Sequence, residues 1–189
     1  GANRLGTNSL LDLIVFGKWA GLKAAEYANG ASFQTLPADP TGYTLQQLDA
    51  IRNSHGTETA YQIGNEMKKV MFDEVGVFRT EKGMQKALEK VRELRERIKH
   101  VRAPDTGKIF NTELLNIWEL DNLLLLAEVT SIAALARQES RGGHAREDYP
   151  KRDDANWLKH SLAWVDEKGV RLDYKPVDIT KYQPKERVY

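Results

Sequence analysis

The residues best suited to chemistry lie at the start of the sequence. A loop with one arginine and one glycine, residues 4–8, leads into an apolar run at Ser9 and Leu10. Ser9, with Asp12 three residues later, has the pattern of a helix cap, and a helix start offers free N–H groups to an anion or an electron-rich ring edge. Arg4 carries a planar guanidinium that suits a carboxylate. A loop whose arginine makes only a surface salt bridge has the same pattern, so the residue types leave both interpretations open.

The element that must position this loop is a helix predicted over residues 9–29. Small residues recur at every third or fourth position along it: Gly17, Ala20, Gly21, Ala24 and Ala28. One face of this helix can therefore approach another backbone closely. Asn29-Gly30 is a typical helix stop, and a proline-containing linker over residues 31–43 follows.

Three more helices are predicted over residues 58–76, 81–102 and 112–138. The second has apolar residues spaced by three and four positions along one face: Met84, Ala87, Val91, Leu94, Ile98 and Val101. The third is apolar around nearly its whole circumference, which is typical of a helix in the middle of a bundle. Together the three helices predict an antiparallel three-helix bundle.

The pattern changes after residue 140. Residues 160–166 and 170–175 alternate around Glu167-Lys168-Gly169, which predicts a β-hairpin. The tail after it has two prolines and no helical period, so we expect an extended chain. The predicted fold is mainly α: one helix from a first domain, the three-helix bundle, then a small C-terminal β-hairpin and extended tail. The predicted domains cover residues 1–43, 44–140 and 141–189.

Composition excludes several functional classes. Lys and Arg total 28 and Asp and Glu total 27, so the net charge of +1 gives no bulk electrostatic reason to expect nucleic acid or an anionic membrane surface as a partner. Without cysteine there is no disulfide, thiolate chemistry or iron–sulfur ligation, and without paired histidines on a helix turn no metal site is predicted. The strongest apolar run, Leu123 to Ala127, is far short of the ~20 residues of a membrane span.

Three separated blocks resemble one known family. Ala2 to Leu13, with Val15-Phe16-Gly17, looks like the segment of succinate dehydrogenase and fumarate reductase flavoproteins that contacts substrate and flavin. Glu139 to Pro150 and its extension to His160 form a second block. Asp173 to Val177 and Gln183 to Arg187 resemble the end of succinate dehydrogenase flavoproteins. The blocks follow one another in the family's order, and the similarity covers the whole chain.

This resemblance implies roles for four residues. Arg4 matches the arginine that grips a substrate carboxylate, and Thr7 matches a position whose backbone touches the substrate. Ser9 and Leu10 match positions that contact the flavin, FAD, through the helix start. The first domain, residues 1–43, would then be the C-terminal end of the flavin-binding domain.

The resemblance also implies what these residues do not supply. In such proteins the glycine-rich dinucleotide fingerprint, the histidine that carries the covalent flavin and the proton-transferring arginine all lie upstream, and no G-x-G-x-x-G follows a strand here. We therefore expect a C-terminal piece of a longer flavoprotein, with most of the FAD site and every catalytic residue outside it. By itself the 189-residue piece is expected to be inactive.

The implied activity is oxidation of succinate to fumarate, with electrons passing to an iron–sulfur subunit and membrane-anchor subunits handling quinone. The implied location is peripheral, held by those partners at the cytoplasmic side of the inner or plasma membrane. Alternatives are a fumarate reductase flavoprotein, an aspartate oxidase, or a helical interaction module without activity. Succinate and fumarate are favoured over aspartate as substrates by three segments: Asp12-Leu13, residues 145–150 and residues 183–187. The C-terminal tail favours the dehydrogenase direction.

A basic loop carries Arg141, His144 and Arg146. These side chains could assist dicarboxylate binding or contact the flavin domain. They could instead anchor the loop by bridging to nearby carboxylates: Glu147, Asp148 or Asp154. Charge-rich turns usually solve local problems, so the anchor is the favoured interpretation.

Overall fold

The structure is a computed structural model that describes residues 8–181 and 183–185. Within them six α-helices, one 3-10 helix and four strands are assigned. The helices are α1 (Asn8–Gly30), α2 (Gly42–Arg52), α3 (Ala60–Val75), α4 (Glu81–Arg97), α5 (Thr112–Ala136) and α6 (Asp154–Trp157), with the 3-10 helix at Ile98–His100 after α4. The strands are β1 (Phe78–Arg79), β2 (Ala145–Arg146), β3 (Lys159–Asp166) and β4 (Gly169–Pro176). The predicted mainly α fold with a C-terminal hairpin is confirmed.

The chain divides into two compact units. The first comprises Gly1–Gly64 and Glu96–Asn122, and the second comprises Asn65–Arg95 and Leu123–Tyr189. Each of the long helices α3, α4 and α5 is divided between the two units.

In the first unit, α1 contacts little of the rest of the chain. None of its residues is buried, and a Cβ built on Gly17 or Gly21 would meet nothing within 4 Å. The predicted close approach of its small-residue face is therefore absent among the described residues. Large apolar side chains on α1 and the linker expose more than half of their surface: Leu10, Leu11, Leu13, Ile14, Val15, Phe16, Trp19, Leu22, Tyr27, Phe33 and Leu36.

The packed part of the first unit surrounds the start of α5. Asn111 caps this helix, because its Oδ1 accepts from Leu114 N at 2.8 Å while its Nδ2 donates to the carbonyls of Asp105 and Gly107. The chelating pair of Arg97 with Glu58 joins the end of α4 to the segment before α3. Several buried apolar side chains fill the space between these elements: Ile63, Ile98, Val101, Leu114, Ile117 and Leu120.

The second unit has its own core. Val75, Met84, Ala87 and Ala134 form a buried cluster where α3, α4 and α5 meet. Four residues of the predicted apolar face of α4 are fully buried here: Met84, Ala87, Val91 and Leu94. The prediction for α5 was only partly correct, because Leu123 and Leu126 are 47% and 59% exposed.

The second unit also contains all four strands. Strands β3 and β4 pair antiparallel from Lys159↔Pro176 to Asp166↔Gly169, which confirms the hairpin. Gly169 has φ 108°, a conformation that favours glycine, and Lys168 N donates to Asp166 Oδ1 across the turn. Strands β1 and β2 form a parallel two-residue pair that was not predicted.

None of the helices described is both long enough and apolar enough to cross a membrane.

Candidate functional site

The predicted substrate site falls partly on the described residues. Arg4 and Thr7 lie outside them. Ser9 and Leu10 are in the first turn of α1, where Ser9 is half-buried and Leu10 is 58% exposed. Because α1 begins at Asn8, Ser9 is inside the helix, and the prediction that Ser9 caps it was wrong.

The start of α1 has the properties that an anion or a flavin ring edge requires. The first N–H groups of a helix have no partner within the helix, and the dipole places partial positive charge on them. The first turn of α1 contains no acidic residue that would oppose a bound negative charge. The residues present therefore fit the edge of a flavin, although they supply only one side of such a site.

The second charged cluster of the sequence lies around Glu139. Its carboxylate is fully buried and accepts from Arg137 Nη1 at 2.6 Å, from Arg141 Nε at 2.8 Å and from Asp153 N at 2.9 Å. Burial alone would raise the pKa of Glu139, but hydrogen bonds from Arg141, the Asp153 N–H and Arg137 outweigh it and lower the pKa. Glu139 is therefore held ionised as the centre of a buried ion cluster.

Arg146 is the other buried ion of this loop, with a side chain that is 1% exposed. Its Nε and Nη2 donate to the two oxygens of Asp148, both at 2.7 Å, and its Nη1 donates to the carbonyls of Leu135 and Arg137 at 3.1 Å. The hydrogen bond from Arg146 lowers the pKa of Asp148 to about 2. Arg146 thus binds the last carbonyls of α5, where a cation is favourable.

The ring of His144 lies between the side chain of Arg79 and the backbone carbonyl of Arg137. Its Nδ1 lies 2.7 Å from Arg79 Nη1, and its Nε2 lies 3.2 Å from the carbonyl of Arg137. Since the guanidinium can only donate, Nδ1 accepts and the proton of the neutral ring is on Nε2. Burial lowers the pKa of His144, and the nearby guanidinium of Arg79 lowers it further.

The basic loop is therefore engaged within the fold. Arg141 Nη2 binds Asp154 at 2.6 Å, as Arg146 binds Asp148. These contacts confirm the anchor interpretation for both arginines. Among residues 8–181 and 183–185 no group of three or more His, Asp or Glu side chains could hold a metal ion.

Fold and site together define a class: a mainly helical chain with one helix start suited to an anion or a ring edge. Residues 64–189 match the family model described as the C-terminal region of fumarate reductase flavoprotein. The chain is 43% identical over 192 residues to the fumarate reductase flavoprotein subunit of Haemophilus influenzae, covering 100% of this chain and 32% of that protein. It is also 43% identical over 198 residues to the succinate dehydrogenase flavoprotein subunit of Rickettsia bellii, covering 100% and 33%.

A solved structure gives the same result. Quinol fumarate reductase of Escherichia coli superposes with a TM-score of 0.89 at 44% identity, covering 100% of this chain and 33% of the other. The chain therefore belongs to the succinate dehydrogenase and fumarate reductase flavoprotein family and corresponds to its C-terminal region, which confirms the resemblance. It spans about a third of the length of the relatives that it matches.

Proposed function

We propose that this chain is the C-terminal part of a flavoprotein subunit that oxidises succinate to fumarate. The observation that carries the proposal is the segment Arg4 to Leu10, a guanidinium followed by a helix start, in a chain whose relatives bear the names of both succinate dehydrogenase and fumarate reductase.

Arg4 is the residue proposed to bind the substrate. Succinate and fumarate both carry two carboxylates, and a guanidinium can hold one of them through two parallel hydrogen bonds. Thr7, three residues later, would contact the substrate through its backbone. These two residues orient the substrate, and in this proposal they neither donate nor remove a proton.

Ser9 and Leu10 are proposed to contact FAD through the backbone at the start of α1. When bound there, FAD would supply the acceptor for a hydride from the carbon skeleton of succinate. N–H groups at a helix start stabilise negative charge in the region that they face, and the absence of acidic residues from the first turn supports this role. No catalytic residue is assigned within the chain, and the proton-transferring group is proposed to lie elsewhere in the flavoprotein.

The exposure of α1 supports its assignment to the flavin-binding domain. A helix with large apolar side chains on every side is normally buried in a protein core. Since the described residues bury none of α1, we propose that the remainder of the flavoprotein covers it. The domain division at residues 1–43, 44–140 and 141–189 is part of this proposal.

The direction of the reaction and the partner subunits of the flavoprotein are proposed from the C-terminal segments and from the name of one relative. The segments Asp173 to Val177 and Gln183 to Arg187 resemble succinate dehydrogenases, which favours succinate oxidation. One solved relative is named as quinol–fumarate reductase with menaquinol. This name supports a quinone as redox partner. The iron–sulfur subunit that passes the electrons on and the membrane-anchor subunits that handle quinone are proposed from the family resemblance alone. The flavoprotein would then be peripheral, at the cytoplasmic side of the inner or plasma membrane.

Turnover by the full-length flavoprotein tests the proposal. With FAD bound, we expect the full-length protein to reduce dichlorophenolindophenol when succinate is added, and to do so faster than it oxidises a reduced viologen dye with fumarate. The 189-residue chain given FAD is expected to show neither reaction. Aspartate oxidation by the full-length protein without succinate oxidation would contradict the assignment.

A further inference from the structure

Lys159, the first residue of β3, holds its charge in an unusual setting. Its Nζ lies 4.6 Å from the centre of the Trp157 ring and 4.2 Å from the centre of the Tyr174 ring. The two rings are 5.7 Å apart in an edge-to-face arrangement. Two cation–π contacts therefore fix the position of the ammonium. Across the described part of the chain, no carboxylate pairs with it and no acceptor takes its N–H donors.

The surface around Lys159 is concave and carries positive charge. The pocket has a volume of about 420 Å³. Its lining includes the cationic side chains of Arg137, Arg141 and Lys159 and the imidazole rings of His144 and His160, but neither Asp nor Glu. The carboxylates of Glu139 and Asp154 are paired with the arginines of this lining. A surface of this kind attracts an anion.

Among the two arginines and the lysine at this surface, only Lys159 has no hydrogen-bond acceptor or carboxylate partner within the described residues. The donors of Arg137 bind Glu139, two backbone carbonyls and Ser161, while Arg141 binds Glu139 and Asp154. Lys159 thus offers one preorganised ammonium beside the apolar side chains of Leu158 and Val177. A single carboxylate on a short aliphatic stem, the side chain of Asp or Glu, fits both features.

We propose that this surface, the Lys159 pocket, docks an acidic side chain of a protein partner. A small free dicarboxylate would find only one available cation there, and an isolated ion pair at a protein surface contributes little. A partner that presents its carboxylate from a surface adds the neighbouring contacts and excludes water, which strengthens the pair. The pocket shares no residue with the substrate site proposed at Arg4 and Thr7, so each assignment can fail without the other.

The test uses the full-length flavoprotein and a short fluorescein-labelled polyglutamate peptide as probe. Fluorescence anisotropy at about 20 mM salt keeps electrostatic attraction measurable. We expect Lys159→Met to weaken binding by at least about five-fold, and the matched control Lys168→Met at the exposed hairpin turn to change it by less than about two-fold. Lys159→Arg, which keeps the charge and the stacking, should bind nearly as the wild type does.

Several results would overturn the proposal. One is that Lys159→Met and Lys168→Met weaken peptide binding equally. Another is that a polyglutamine peptide binds as tightly as the polyglutamate peptide, and a third is that the wild type binds no peptide. Displacement of the peptide by succinate at equal carboxylate concentration would show a small-molecule site instead. Tighter peptide binding after Glu186→Gln would show that the chain's own tail fills the pocket. Melting temperatures of all variants show whether Lys159→Met remains folded. If it does not, the polyglutamine and succinate measurements on the wild type still decide the proposal.

Discussion

Buried ions explain why the loop after α5 is rich in charge. Arg146 cannot give up its proton inside a protein, so its buried N–H groups must find acceptors. Asp148 supplies two oxygens and the end of α5 supplies carbonyls. Glu139 is paired in the same way with Arg137 and Arg141. Because these side chains hold the backbone together, their positive charge is not free to bind a substrate.

Removing the partner of Arg146 tests this account. We expect Asp148→Asn to lower the free energy of unfolding by about 2 to 3 kcal/mol, because it leaves a buried guanidinium without its counter-ion. The cost stays in this range because the backbone carbonyls still accept from Nη1. Urea denaturation followed by circular dichroism measures the change. Glu147→Gln, an equivalent change at the exposed neighbouring residue, should alter stability by less than about 0.5 kcal/mol.

His144 gives the loop a pH dependence of known sign. Burial and the nearby guanidinium of Arg79 lower its pKa, so the folded state keeps it neutral where the unfolded state takes up a proton. Its contribution to stability is complete above the ordinary value of 6.5 and is lost as pH falls from there towards the lower folded pKa.

We therefore expect stability to fall between about pH 7.5 and about pH 5.5, with a slope of at most about 1.4 kcal/mol per pH unit from this residue. His144→Gln, which stays neutral, should reduce that fall relative to the wild type. Urea denaturation at several pH values measures both. An unchanged pH profile in His144→Gln would show that protonation of this ring does not limit stability.

At the scale of elements, periodicity predicted the long helices well. The predicted bounds 58–76 and 112–138 lie within two residues of α3 and α5, because regular spacing of apolar residues reflects burial on one side. No bounds were predicted for helix α2, because most of its residues are exposed and its apolar residues therefore show no strong helical spacing. The β1–β2 pair joins segments 67 residues apart, such as Phe78 and Ala145, and no local pattern encodes such a contact.

The small-residue face of α1 provides a prediction for this element. Among the described residues a Cβ at Gly17 meets nothing within 4 Å, so Gly17→Ala in the 189-residue chain should raise helix stability by up to about 1 kcal/mol. In the full-length flavoprotein, where we propose that this face packs against another backbone, the same substitution should instead lower the melting temperature. Thermal denaturation of both forms makes the comparison. A rise in both would show that the face is open in the complete protein.

At the scale of the whole molecule, the family and the activity were inferred from different parts of the sequence. Three ordered blocks identified the family, and the match over residues 64–189 confirmed it. The proposed site residues at positions 4–10 have the sequence pattern of a short loop before a helix start, which physical chemistry alone could not separate from an ordinary capped turn. The Lys159 pocket was not predicted, because Lys159, Trp157 and Tyr174 come together only when the hairpin closes.

The role of Arg4 is the central claim, and the dissociation constant for succinate in the full-length flavoprotein tests it most directly. We expect Arg4→Ala to weaken succinate binding by about 100-fold, the cost of losing a charged, two-pronged hydrogen bond, with the flavin content unchanged. Arg171→Ala on the exposed hairpin is the matched control and should bind normally. An Arg4→Ala protein that keeps its flavin and binds succinate as tightly as the wild type would contradict the proposed site.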